Sequence, residues 1–192
     1  MKIRHPLLLR TFLAFLVLSV MAVLIFFGSR SALKTLYPLR YTEFVETYSK
    51  ENNLSDSFVY AVIKCESGFK PNAKSNKNAV GLMQITEETF NDVKKMLGDD
   101  DLSFSVDATD EELNIKYGTY YLRFLNNYFS GDEIAVIAAY NAGLGNVQKW
   151  LGKDKKLSES EIEFAETKAY VKKVLKAKNI YKNVYEKRSQ DV

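Results

Sequence analysis

Glu66 is the one carboxylate in the apolar stretch that runs from residue 58 to residue 68. Phe58, Val62 and Glu66 are spaced four residues apart, so in a helix the carboxylate shares a face with side chains that should be buried. A carboxyl group in such surroundings loses solvation and its pKa rises, which a general acid working near neutral pH requires. The spacing equally allows a structural glutamate that is solvated or paired with a lysine or arginine.

The shortage of other reactive side chains limits the chemistry. The single histidine, His5, precedes the long apolar N-terminal segment, so it cannot join a site in the rest of the chain. This excludes Ser-His-Asp and Cys-His hydrolases and zinc hydrolases with histidine ligands. Cys65 is the only cysteine, which excludes an intramolecular disulfide. An enzyme built from this sequence must use carboxylates, hydroxyls, amides and tyrosines, and we predict no metal and no cofactor.

Residues 1–30 are predicted to form a short cytoplasmic tail and a transmembrane anchor. From Phe12 to Phe27 the sequence is apolar except for Ser19, and about 20 mostly apolar residues span a bilayer. A cleavable signal peptide is the alternative, although only a weak small-residue cleavage site follows the apolar run. Basic residues flank the run on both sides, so charge does not set its orientation. The placement of a short tail inside the cytoplasm and the main domain outside it rests on function.

The N-terminal segment and the rest of the chain differ in net charge. Residues 1–30 carry four basic residues and no acid, which leaves 23 basic and 24 acidic residues, net −1, in the rest of the chain. A domain with this balance is not a nucleic-acid binder by bulk charge. Asp99–Asp101 lack the spacing of an EF-hand loop, so they are interpreted as a solvated acidic surface.

The main domain is predicted to be all-α, with one compact set of helices around a substrate groove. Its limits are residues 45–187, after a juxtamembrane linker over 31–44 and before a tail over 188–192. Ser55 or Ser57 caps the helix that ends at Glu66, and Gly68 suits the left-handed position after it. Apolar periodicity and capping residues predict five further helices, over 41–52, from Thr86 to 95, over 113–129, over 132–142, and from Ser158 to about 185. Residues 69–80 are predicted to form a loop, and Gly143 with Gly145 a turn.

Five short motifs in order resemble the catalytic domain of the soluble lytic transglycosylase family, which has a goose-type-lysozyme-like fold. The resemblance covers roughly residues 45–187, here in a membrane-anchored form. Thr86 and Ala165 stand where the family often has proline, which concerns helix starts rather than chemistry. The motifs are Glu66-Ser67, Gly81-Leu-Met-Gln84, Asn114 with Gly118 and Tyr121-Leu122, Ala139-Tyr-Asn-Ala-Gly143, and Glu166-Thr-Lys-Ala-Tyr170-Val.

The resemblance implies cleavage of the β-1,4 bond between N-acetylmuramic acid and N-acetylglucosamine in peptidoglycan glycan strands, without net addition of water. It implies that Glu66 protonates the glycosidic oxygen and then, as a base, takes the proton of the muramoyl C6 hydroxyl, which attacks C1 to give a 1,6-anhydro product. The substrate-binding residues that it implies are Ser67, Gly81, Leu82, Met83, Gln84, Tyr121, Tyr140, Asn141, Glu166 and Tyr170.

The residues themselves agree with a mechanism that uses one carboxylate. Ordinary glycosidases need a second Asp or Glu near the first, as nucleophile or as the base that activates water. The segments expected to line the groove, 68–85 and 140–145, contain no acid. A muramidase that hydrolyses the same bond, and an inactive glycan-binding scaffold module, are the alternatives.

Overall fold

The computed structural model describes residues 6–152 and 155–186. It divides into two compact units, and the boundary lies between Pro38 and Leu39. The predicted tail over 188–192 lies outside the described residues, and so do residues 1–5 of the predicted cytoplasmic tail.

The first unit contains one long helix, α1, over Pro6–Leu36. Within it, Thr11–Leu36 is the one helix of the described chain that is long and apolar enough to cross a membrane, and its most apolar 18-residue window has a mean hydropathy of 2.6. At 1.5 Å per residue these 26 residues extend about 39 Å, which exceeds the ~30 Å thickness of a hydrocarbon core. The helix continues beyond residue 30, so the N-terminal part of the predicted linker over 31–44 is helical.

The second unit is helical, and its described part contains no strand, only isolated bridges that join Lys74 to Val80 and Val80 to Ile85. The C-terminal part of the predicted linker is also helical, which leaves residues 37–41 as the connection. The helices are α2 (Thr42–Glu51), α3 (Asp56–Glu66), α4 (Glu87–Leu97), α5 (Phe104–Asp107), α6 (Glu111–Tyr128), α7 (Glu133–Ala142), α8 (Leu144–Trp150) and α9 (Ala165–Tyr185).

The last helix starts later than predicted. The Ser158 backbone N–H and hydroxyl both donate to Glu161 Oε2, and the Glu161 N–H donates back to the Ser158 carbonyl. A serine at a helix start would use its hydroxyl to accept from a backbone N–H of the first turn. Here the Ser158 hydroxyl donates to Glu161 instead, and the bonds between these two residues close a single turn. The helix predicted from Ser158 therefore begins at Ala165.

Two short helices, α5 and α8, were not predicted. Gly143, with φ of 86°, separates α7 from α8, so the turn predicted there occupies one residue and a helix follows it. Thr86 was predicted correctly as the start of α4, because its hydroxyl accepts a hydrogen bond from the Thr89 N–H.

α3 is the central helix, and it packs against α2 and α9, while α7 packs against α6, α8 and α9. Seven consecutive residues of α3, 57–63, are buried, and Tyr60 stacks on Tyr181 of α9 with ring centroids 5.3 Å apart. Each large apolar side chain buried here stabilises the fold by about 1.5–3 kcal/mol. The C-terminus of α3, where Glu66 lies, is held by α9 through Tyr170 and Lys173.

Candidate active site

Glu66 is the last residue of α3, and Tyr170 of α9 donates a hydrogen bond to it, with 2.5 Å between Tyr170 Oη and Glu66 Oε1. Burial raises the pKa of Glu66 to about 7, against the lowering effects of the Tyr170 hydroxyl and the Lys173 cation. The expectation of a raised pKa on an apolar face is thus confirmed, and the physical cause is desolvation. Glu66 can exist as a protonated acid near neutral pH.

The chain direction changes sharply after Glu66. Gly68 and Phe69 both have positive φ, 59° and 67°, as the left-handed position predicted for Gly68 requires. Ser67 is buried, and its hydroxyl donates to the Ile63 carbonyl and accepts from the Phe69 N–H. The Ser67 hydroxyl therefore fixes the end of α3 through these two bonds, and neither of them is to Glu66.

Lys173 of α9 also holds the end of α3. Its Nζ donates to the Cys65 carbonyl at 3.0 Å, where the helix carries partial negative charge. The ammonium group is the charge that lowers the pKa of Glu66. No sequence signal distinguished Lys173 from the other lysines of α9, which were all expected to form a solvated face.

Asn114 of α6 fixes the backbone of residues 80–83. Its Oδ1 accepts from the Met83 N–H at 2.7 Å, and its Nδ2 donates to the carbonyls of Val80 and Ala108. A Cβ at Gly81 would lie 2.1 Å from Asn114 Nδ2, and Gly81 has φ of 83°. Gly81 was expected to let backbone approach the glycan; in the structure it leaves room for the Asn114 amide.

Leu82 and Met83 are fully buried. A Cβ at Gly118 of α6 would lie 2.4 Å from Met83 Sδ, so the Met83 side chain packs directly on the backbone of α6. Both were expected to line a substrate-binding surface, and the structure places their side chains in the core instead. The apolar side chains escape water there, and the Met83 carbonyl is the group that faces Tyr140.

Gln84 has φ of 50°, and its Nε2 donates to the carbonyls of Ala73 and Gly81, both at 3.0 Å. Gln84 was expected either to bind substrate or to orient Glu66. In the structure its amide nitrogen closes the loop between α3 and α4, and it makes no hydrogen bond to Glu66.

Tyr140 of α7 lies near Glu66, and Tyr121 of α6 lies beside Tyr140. The Tyr140 hydroxyl donates to the Met83 carbonyl at 2.8 Å, and the Tyr121 ring centroid is 5.8 Å from that of Tyr140. Burial raises the pKa values of Tyr140 and Tyr170 well above the usual range, and the Glu66 charge raises them further. These hydroxyls stay protonated and act as hydrogen-bond donors.

The motif at the start of α9 contributes through Thr167 and Tyr170. The buried Thr167 donates through its hydroxyl to Asn141 Oδ1 at 2.8 Å, a contact that the sequence did not predict. Glu166 is exposed in the first turn of α9 and forms no ion pair with a described residue, so the alternative of a structural salt bridge is not supported. Its carboxylate interacts favourably with the N-terminal helix dipole.

The structure thus brings together Glu66, Tyr170, Tyr140, Tyr121 and the carbonyl of residue 83, whereas Glu166 lies at the exposed start of α9. Among the described residues, no group of three His, Cys, Asp or Glu side chains is placed to hold a metal ion. The arrangement offers one carboxyl group of raised pKa, a tyrosine that donates to it and further polar groups nearby. These groups can transfer a proton to a bound substrate and accept one from it.

Known proteins resemble this chain in both sequence and fold. The family model described as Transglycosylase SLT domain matches residues 43–163. The soluble lytic murein transglycosylase of Salmonella typhimurium is 36% identical over 148 residues, which are 74% of this chain and 23% of that protein. Membrane-bound lytic murein transglycosylase C of Photorhabdus laumondii is 35% identical over 125 residues, 61% of this chain and 35% of that protein. The 70-kDa soluble lytic transglycosylase SLT70 of Escherichia coli superposes with a TM-score of 0.75 at 33% identity, covering 81% of this chain and 26% of that one.

The chain therefore belongs to the transglycosylase SLT domain family, and its predicted all-α, lysozyme-like fold class is confirmed. It spans about a quarter of the length of the soluble relatives that it matches. The matched family segment ends at residue 163, so Tyr170 lies beyond it although its hydroxyl contacts Glu66.

Proposed function

We propose that this protein is a peptidoglycan lytic transglycosylase that cleaves the β-1,4 bond between N-acetylmuramic acid and N-acetylglucosamine and leaves a 1,6-anhydromuramoyl end. The observation that carries the proposal is Glu66, a carboxyl group with a pKa near 7 that accepts a hydrogen bond from Tyr170. Relatives named lytic murein transglycosylases support the substrate class.

In the first step Glu66 acts as an acid. The Tyr170 hydroxyl donates to Oε1, which leaves Oε2 to carry the proton. Glu66 gives this proton to the glycosidic oxygen as the bond from that oxygen to C1 breaks, and the alcohol leaves. The acetamido group of the substrate stabilises the positive charge that develops at C1.

In the second step the same carboxylate acts as a base. Glu66 removes the proton of the muramoyl C6 hydroxyl, O6 forms a bond to C1, and the carboxyl group is again protonated. Atoms balance without water. Among the described residues, Lys173 is the one charged group that shifts the pKa of Glu66, which supports a mechanism with one carboxylate rather than two.

The remaining groove residues receive proposed roles from their positions. Tyr140 and Tyr121 offer ring faces beside the reacting bond, and their polar tips and apolar bodies suit sugars. Asn141 Oδ1 is engaged by Thr167, so we assign its Nδ2 as the donor to an acetamido carbonyl. The backbone is the main contribution that we propose for Ser67, Gly81, Leu82, Met83 and Gln84. Glu166 is proposed to lie at the edge of the substrate-binding site.

We further propose that α1 anchors the protein in the cell membrane by a single pass, with the helical domain on the side of the cell wall. The apolar segment over Thr11–Leu36 and the membrane-bound relative support this placement. A peptidoglycan substrate requires the domain to face outward.

Digestion of purified sacculi by the full-length protein, followed by mass spectrometry of the soluble products, tests the proposal. We expect 1,6-anhydromuramoyl ends, and reducing muramic acid ends would assign a hydrolase instead. The Glu66→Gln variant keeps the shape of the side chain and removes its acid, so it should lose at least a hundredfold in rate. Complementation of a cellular defect by this variant would support the scaffold alternative, whereas undiminished cleavage by it would exclude Glu66 as the catalytic acid.

A further inference from the structure

The charges of the helical domain are separated into two regions of opposite sign. Residues 165–186, which include the whole of α9, contain six lysines and two glutamates. Residues 87–112 contain ten acids and two lysines. α9 packs on α3 and α7, whereas α4 packs on α5 and α6, so the basic helix and the acidic segment have different neighbours.

Four of the lysines form a stripe along α9. At 3.6 residues per turn they fall within an arc of about 120° and extend about 21 Å along the helix axis. The first is half-buried and the other three are exposed, and the lysine stripe consists of Lys168, Lys172, Lys176 and Lys182. Glu159 lies 3.5 Å from Lys172 Nζ, but both side chains are largely open to water, where such a pair is weak.

The two remaining lysines of α9 lie outside this arc and are engaged within the domain. Lys173 Nζ donates to the Cys65 carbonyl, and Lys178 Nζ donates to Glu133 Oε1. Tyr170 lies about 180° around the helix from the centre of the lysine stripe. The stripe is therefore on the opposite side of α9 from the hydroxyl that contacts Glu66.

The C-terminal end of α9 lies where the chain enters the helical domain. Leu39, the first residue of that unit, lines a cavity of about 170 Å³ together with Tyr181, Tyr185 and Glu186. α1 ends at Leu36, and three residues of extended chain reach at most about 10 Å. An α1 that is inserted in a membrane therefore keeps this end of α9 close to the lipid headgroups.

We propose that the lysine stripe binds anionic phospholipid headgroups of the membrane that α1 spans, so that α9 lies along the membrane surface and the side with Glu66 faces the wall. Each lysine near an anionic surface strengthens binding roughly fivefold. The short tether keeps the stripe at a high effective concentration of headgroups. Phe164, directly before α9, is 46% exposed and supplies an apolar group of the kind that enters the interface.

This inference rests on the proposed membrane anchor, and the single tryptophan of the chain gives a test. Trp150 packs against Phe164, with 4.8 Å between ring centroids, at the N-terminal end of α9. That end is about 30 Å along the helix from the tethered end, so Trp150 approaches the headgroups when α9 lies flat.

The measurement is resonance energy transfer from Trp150 to a dansyl-labelled lipid headgroup. The full-length protein is reconstituted in phosphatidylcholine bilayers in which phosphatidylglycerol is increased stepwise. Transfer should rise with the fraction of phosphatidylglycerol, and raised salt should reverse the rise, because salt screens the attraction.

Two double variants with the same change in charge make the test specific. Lys176→Gln with Lys182→Gln should lower the ratio of lipid-bound to unbound domain roughly 25-fold, so half-maximal transfer needs more phosphatidylglycerol. Lys50→Gln with Lys95→Gln removes two exposed lysines from α2 and α4 and should keep the wild-type midpoint. Circular dichroism and thermal unfolding confirm that both variants are folded.

Energy transfer that does not depend on phosphatidylglycerol would overturn the proposal, and so would equal midpoints for the two double variants. Protection of the stripe from acetylation by soluble polyphosphate, without a response to lipid, would assign an anionic polymer as the partner instead. The proposed function is tested separately. Release of 1,6-anhydro products from sacculi by a protein without lipid-dependent transfer would retain that function and reject only the lysine stripe as a lipid site.

Discussion

The environment of Glu66 couples its chemistry to the stability of the fold. A carboxyl group whose pKa is about 7 in the folded state and 4.5 when unfolded binds more protons in the folded state between these values. The free energy of unfolding therefore falls as pH rises from about 4.5 to about 7, and it is flat beyond. Acidic conditions favour both the fold and the protonated acid.

We expect Glu66→Gln to stabilise the protein at and above neutral pH. The variant removes the cost of a buried carboxylate, so the gain grows between pH 4.5 and 7 to an upper limit of roughly 3 kcal/mol, and it vanishes at lower pH. Urea denaturation of wild type and variant at a series of pH values measures it. A stability difference that does not change with pH would contradict desolvation of Glu66.

Tyr170→Phe should shift the pH dependence of catalysis. The Tyr170 hydroxyl lowers the pKa of Glu66, so its removal raises that pKa. The alkaline limb of kcat/KM, which lies near pH 7 in the wild type, should move to higher pH, while the maximal kcat/KM falls about tenfold from the loss of a hydrogen bond to a charged group.

Tyr48→Phe is the control for this variant, since it removes a hydroxyl that bonds to Glu112 on another part of the domain. It should leave the pH profile unchanged. An alkaline limb that moves to lower pH in Tyr170→Phe would show that Tyr170 stabilises the protonated form of Glu66 instead of the charged one.

At the scale of the elements, the close contact of α6 with residues 81–83 determines where the Met83 carbonyl lies. Asn114 and Gly118 lie four residues apart on α6, and they meet the backbone of Gly81 and the side chain of Met83. The hydrogen bonds of Asn114 hold residues 81–83 against α6, and the absence of a side chain at Gly118 lets Met83 pack directly on the helix. The Met83 carbonyl is thereby presented to Tyr140.

Gly118→Ala tests this contact. Alanine usually stabilises a helix relative to glycine by about 1 kcal/mol, but here its Cβ would lie 2.4 Å from Met83 Sδ and 2.9 Å from Met83 Cβ. Because Met83 is fully buried, it cannot move away, and we expect a net loss of about 1–2 kcal/mol in the free energy of unfolding.

Gly145→Ala on α8 is the matched control. A Cβ there meets no atom within 4 Å, and the backbone is not in the left-handed region, so the variant should be neutral or slightly stabilising. Urea titration of both variants gives the comparison. Equal effects of the two substitutions would mean that Met83 does not pack against α6 as closely as described.

For the whole molecule, α1 should determine where the domain acts. We expect the full-length protein to remain in the membrane pellet after alkaline carbonate extraction, and its intact mass to include residues 1–30. A soluble protein that has lost this segment would establish the signal-peptide alternative. Val17→Arg with Val20→Arg places two charges in the span, costing about 2.5–3.5 kcal/mol each, and should reduce the membrane fraction.

Local patterns made much of this protein predictable. The spacing of Phe58, Val62 and Glu66 predicted a buried helix face and a carboxyl group of raised pKa, because helix periodicity alone sets which side chains share a face. Gly68 and Thr86 marked a helix end and a helix start through their own backbone and capping chemistry. The long apolar run determined the candidate membrane helix by length and composition.

Only the tertiary structure decided which groups meet. Ser158 shows that a helix start depends on competing local hydrogen bonds, which periodicity does not reveal. Leu82 and Met83 looked like groove residues and proved to be core, because α6 packs on them.

The contact between Glu66 and Tyr170 joins residues 104 positions apart, and the contact between Lys173 and the Cys65 carbonyl joins residues 108 positions apart. The sequence by itself determined that a single carboxylate sits at the end of an apolar helix. The packing of α9 on α3 decided its hydrogen-bond partner and the groups that offset its desolvation, because these depend on distances that no local pattern encodes.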